Sequence, residues 1–102
     1  MSVMRREQIR LSVKRMAEEN LKERMFVLAD MKKGLVKEQQ EHKEAWNEEI
    51  CWYGTPEERL EWKEKADELV QAINDAEDEM VFIRMRAGRA AVDSWRAEYI
   101  NR

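Results

Sequence analysis

The sequence predicts an all-α protein, two long helices joined by a short Gly-Thr-Pro turn and paired as an antiparallel coiled-coil hairpin. Three observations predict it. Hydrophobic residues make up 43% of the 102 positions and charged residues 40%, with a single proline, the balance of long amphipathic helices and not of a sandwich or a disordered tail. Residues 54–58 read as helix punctuation, and residues 62–97 carry a heptad stripe.

The first helix is expected over about residues 4–52. Its apolar stripe runs through Leu21, Met25, Leu28, Leu35 and Trp46, with Lys32, Gln39 and His42 breaking it. The turn at 53–55 follows. Gly54 suits a left-handed C′ position, Thr55 an N-cap, Pro56 the first helical position and Glu58 the third, completing a capping box. The second helix is expected over about 56–100, with a cleaner seam: Trp62, Ala66, Leu69, Ile73, Ala76, Met80, Ile83, Ala87, Ala90, Ser94 and Ala97. If the chain reverses at Gly54-Thr55, the stripes meet in register, Leu28 with Met80, Leu35 with Ile73, His42 with Ala66 and Trp46 with Trp62. The chain is read as one helical unit spanning 1–102.

One seam leaves much apolar surface over. Phe26, Val27, Trp52, Val70, Val81, Phe82, Met85, Val92, Trp95, Tyr99 and Ile100 all fall outside it, so a partner surface is expected to cover them. Gly88, inside the second helix, costs about 1 kcal/mol relative to alanine. The shallow face of Ala87, Ala90 and Ala91 beside it points to a partner backbone passing close.

No residue pattern asks for catalysis or a cofactor. The single histidine, His42, lacks the Glu-x-x-His spacing of helical metal sites, since Gln39 precedes it by three. Cys51 sits among Glu48 and Glu49 near the negative pole of its helix, an environment that works against a thiolate. Gly34, Gly54 and Gly88 are isolated and form no phosphate loop. One cysteine, no secretory apolar region and no apolar run of about 18 residues suggest a cytoplasmic chain with no membrane span.

Charge is segregated along the chain. Residues 1–36 carry nine Lys/Arg and five Asp/Glu, 37–83 five and fifteen, and 84–102 five and two. A hairpin brings the two basic ends together. Arg84, Arg86 and Arg89 do not form one stripe, however, and the pI is near 5.3, so a protein surface fits that end better than nucleic acid.

Residues 68–99 resemble the C-terminal helix of a small family of cilia- and flagella-associated proteins that line the lumen of axonemal doublet microtubules. The likeness rests on Leu69-Val70-Gln71, Ile73, Ala76, the run Met80-Val81-Phe82-Ile83 followed by Arg84, and Tyr99, within a similar total length. The resemblance implies a structural microtubule inner protein, without enzyme activity or cofactor, laid against tubulin and neighbouring axonemal proteins. The residues expected to meet partners are Trp52, Trp62, Phe82, Arg84, Met85, Arg89, Trp95, Arg96 and Tyr99. The residues also fit a second expectation, a soluble helical-hairpin adaptor or a phage- or bacterial-type inhibitor of a nucleic-acid enzyme or another protein.

Overall fold

The computed structural model describes residues 2–102 and shows an all-helical chain built on an antiparallel hairpin. Helix α1 spans Ser2–Arg15, α2 Glu18–Ala45, α3 Pro56–Ala87 and α4 Arg89–Ile100. The rod of α2 continues through a π-helical turn, Trp46–Ile50, and a last α turn, Cys51–Tyr53. The Cα extents of 51 × 35 × 16 Å and a radius of gyration of 17.1 Å describe a flat slab. A compact chain of this length has a radius near 13 Å.

The hairpin forms at the expected corner. Thr55 caps α3, its Oγ1 accepting from the Glu58 N–H at 3.1 Å, and Pro56 takes the first helical position. Gly54 differs from the expectation: its φ of −70° and ψ of 139° are extended, not left-handed. Glycine is required there by space, because a Cβ would lie 2.5 Å from the Ile50 carbonyl oxygen. The seam of α2 and α3 holds as read up to Ala87, with Leu21, Met25, Leu28, Leu69, Ile73, Ala76 and Ile83 all buried. Across it, Arg24 makes a bidentate pair with Glu79 at 2.5 and 2.9 Å, and the Glu79 hydrogen bond raises the Arg24 pKa against the opposing pull of burial. Lys32 pairs with Glu77 and Lys65 with Glu38.

Neither long helix runs to its end as expected. The first breaks at Met16–Ala17, where Ala17 has an extended ψ of 144°, and the second breaks at Gly88. Both outer segments fold back onto the hairpin. The contacts of α1 advance with α3, Arg5 pairing with Asp75 at 2.5 Å and Val13 lying beside Arg86. Those of α4 advance with α2, Lys22 pairing with Glu98 and Asp30 accepting from the Tyr99 hydroxyl at 2.7 Å. One hydrophobic cluster ties three of these helices together: Val13 from α1, Leu21, Met25 and Leu28 from α2, and Ala76 and Ile83 from α3, with Trp95 of α4 packed against it.

The return helices cover apolar residues that the bare hairpin would leave to a partner. Val92 is buried, Phe82 and Trp95 pack on the core, and Tyr99 lies 5.5 Å from Phe26. They also change the seam. Beyond Gly88 the expected positions Ala90, Ser94 and Ala97 are exposed, and Val92, Trp95 and Tyr99 turn inward instead. Gly88 is held at φ 91°, a backbone conformation that favours glycine, and nothing of the chain's own lies within 4 Å of a Cβ built there.

Charge explains the docking of α1. Its basic residues Arg5 and Arg6 meet Asp75 and Asp78 of the acidic α3. Arg86 closes its other end, donating from Nη1 to the carbonyls of Val13 at 2.6 Å and Lys14 at 3.0 Å. A guanidinium there caps carbonyls of the last turn at the negative pole of the helix, sharing that of Val13 with the Met16 N–H. Arg86→Ala is expected to lose about 1–2 kcal/mol of this capping. Amide hydrogen exchange checks it: protection should fall over 5–15 and stay unchanged over the corner, 46–62.

Candidate functional site: the acidic, aromatic hairpin tip

The end of the hairpin carries the largest exposed apolar side chains. Trp52 is 73% exposed, Tyr53 82% and Leu60 58%. They stand in an acidic field, for residues 44–64 hold seven glutamates against Arg59 and Lys63. Exposed apolar side chains in a segment with a strong excess of one charge have the profile of a docking surface for a basic partner.

The backbone beneath is specialised. Between Trp46 and Ile50 the helix widens into a π turn, a feature that re-aims the residues after it and often occurs at functional sites. Across this turn the Trp52 indole N–H donates to the Asn47 carbonyl at 3.2 Å, which pins the ring against its own helix. The Cys51 carbonyl, near the end of the rod, accepts from Arg59 Nη2 at 3.2 Å. Tyr53 is held by nothing comparable among the described residues.

Below the tip a clasp locks the two helices. His42 and Trp62 stack at 4.5 Å between centroids and 5° between planes, and each ring donates to the other's carbonyl at 2.7 Å. The bond from Nε2 to the Trp62 carbonyl places a proton on that nitrogen. Trp46 leans on Trp62 at 4.7 Å. The expected pair Trp46–Trp62 is therefore present, whereas His42 meets Trp62 and not Ala66. Trp62 is half-buried in this clasp.

The remaining expected contact residues gather at the opposite end and are used unequally. Phe82 packs on the core beneath the Arg6 guanidinium, and Trp95 and Tyr99 hold α4 to α2. Arg102 lies over the Phe26 and Tyr99 rings at 5.0 and 5.5 Å and reaches Asp30, reinforcing that attachment. Met85 and Arg89 are exposed. Arg84 and Arg96 are exposed too, and both line a cavity of about 140 Å³ between α2, α3 and α4. Tyr53 and Leu60, which were not among the expected contact residues, are exposed in the corner beside four glutamates within 57–64.

Among the described residues no group of three or more His, Cys, Asp or Glu is gathered as a metal site, and no helix is long and apolar enough to cross a membrane. Cys51 is an exposed free thiol. No protein family, curated protein or solved structure matches the chain.

Proposed function

We propose that the chain is a non-catalytic structural protein that docks its hairpin tip on a larger protein. The exposed Trp52, Tyr53 and Leu60, in a segment with seven glutamates, carry this reading. Large aromatic side chains supply much contact area for little conformational entropy, and the glutamates select a surface with basic groups at its edge. The flat shape, 16 Å in its thinnest direction, suits a chain laid along a wall. The resemblance of residues 68–99 to doublet-lumen proteins supplies the candidate wall, tubulin with its neighbouring inner proteins, and a role in stabilising the ciliary axoneme.

A second reading has its own support. A tip of net charge −5 over residues 44–64 also fits the basic groove of a nucleic-acid enzyme, as a helical-hairpin inhibitor would need. Localisation separates the two. A tagged chain in ciliated cells is expected along the axoneme, and the double variant Trp52→Ala/Tyr53→Ala is expected to lose most of that signal. A diffuse signal from the unaltered chain would remove the ciliary reading and leave the inhibitor.

A further inference from the structure

A cavity lies between α2, α3 and α4. Met25, Phe26, Met80 and Trp95 form its apolar wall, and Arg84 and Arg96 stand on its lining with exposed side chains. Its volume, about 140 Å³, is close to that of an apolar cavity that takes up one benzene ring. The two arginines are conspicuous for being unused. Arg5, Arg6, Arg86 and Arg102 all engage carboxylates or carbonyls within the chain, whereas Arg84 and Arg96 make no ion pair or side-chain hydrogen bond among the described residues. An occupant with an aromatic ring flanked by carboxylates would fill the wall and answer both charges.

The chain itself presents such a group. Tyr53 is 82% exposed, and Glu48, Glu49, Glu57 and Glu58 are its neighbours in sequence on both sides of the corner. We infer that the protein assembles head to tail, the Tyr53 tip of one copy seated in the α2/α3/α4 cavity of the next, with tip glutamates on Arg84 and Arg96. The contact is necessarily between copies. Phe26 and Tyr53 lie on the same rod, separated by about 40 Å at the rise of an α-helix. Knob and socket are different surfaces, so the interface is heterologous: an open chain keeps one free knob and one free socket at its ends, and the assembly grows as a filament or closes as a ring. The segregation of charge, basic at the head and acidic at the tip, orients each addition in the same direction.

This inference uses the same tip as the docking reading but needs no other protein, so the two fail separately. Sedimentation velocity of the full chain across a concentration series should show association that weakens at least ten-fold between about 0.05 and 0.5 M salt, where the screening length falls severalfold. Tyr53→Ala removes the knob and Arg84→Glu/Arg96→Glu reverses the socket. Each variant alone is expected to sediment as a monomer with unchanged helical circular dichroism. Mixed, they should form a one-to-one dimer that grows no further, because the mixture offers one intact knob and one intact socket per pair. A native chain that stays monomeric at low salt overturns the inference and leaves partner docking standing. A native chain that associates while the mixed variants stay apart overturns it as well, by placing the interface elsewhere. If the arginine pair fails to fold, the single Arg96→Glu variant on exposed α4 replaces it in the same mixture.

Discussion

Ile83→Ala is expected to remove about 3–5 kcal/mol of folding stability, a large share of the 5–15 kcal/mol typical of a chain this size. Ile83 is 0% exposed and sits in the cluster where Val13 of α1 and Leu21, Met25 and Leu28 of α2 converge. Truncation there loses the transfer free energy of three carbons and leaves a void, since the surrounding side chains are held by three different helices and cannot all collapse inward. Leu28→Ala, at 1% exposure in the same cluster, should behave alike, and because the two share neighbours their effects should not add. Val70→Ala serves as the control: 45% exposed on α3, it should change stability by about 0.5 kcal/mol or less. Urea unfolding followed by circular dichroism reads all three. A loss below about 1 kcal/mol for Ile83→Ala would mean that α1 and α2 do not meet on this residue in solution.

The same cluster marks where sequence reasoning stops working. The corner was legible because Thr55, Pro56 and Glu58 act locally, through capping and a fixed φ that need no knowledge of the rest of the chain, although Gly54 is required there by space and not by a left-handed conformation. The seam through Ala87 was legible because a heptad repeat is also local in its phase. Beyond Gly88 the phase was extrapolated across a residue whose conformation resets it, and Ala90, Ser94 and Ala97 were placed inward when they face solvent. The break at Met16–Ala17 carries no glycine, proline or capping side chain. Its signal is electrostatic: Lys14 and Arg15 close α1 and Glu18 and Glu19 open α2, the charge order that two helix dipoles in succession favour. Missing both breaks meant assigning Phe82, Trp95 and Tyr99 to a partner, when Phe82 lies under Arg6 of α1 and Trp95 and Tyr99 pack α4 onto the hairpin. At the tip Trp52 was visible in the sequence as an apolar residue outside the seam. The His42–Trp62 clasp was not, because it depends on side chain to backbone hydrogen bonds across two helices that no spacing rule encodes.

Gly88→Ala tests whether one residue makes α4 return. At φ 91° and ψ 159°, Gly88 lies in a region essentially reserved for glycine, and an L-residue held there costs about 1–3 kcal/mol. Space is not the issue, because an added Cβ meets nothing within 4 Å. The methyl group acts on the backbone alone, and it also raises helix propensity by about 1 kcal/mol, favouring a straight run from α3 into α4. Both effects push the same way, against the packing of Val92, Trp95 and Tyr99 on α2. In the native chain the Tyr99 hydroxyl touches Asp30 at 2.7 Å; with α4 straightened, residues 30 and 99 should stand about 30 Å apart, from the helical rise on each side of the break. Spin labels at those two positions measure the separation directly, with the labelled native sequence as reference. A chemically synthesised chain with D-alanine at 88 should keep the short distance, since the mirror-image residue reaches positive φ without strain. If L-alanine leaves both the distance and the stability unchanged, the return of α4 is imposed by its contacts with α2 and not by the glycine. The same variant bears on assembly, because lifting α4 removes Trp95, Tyr99 and Arg96 from one side of the cavity and so should abolish the socket while sparing the tip.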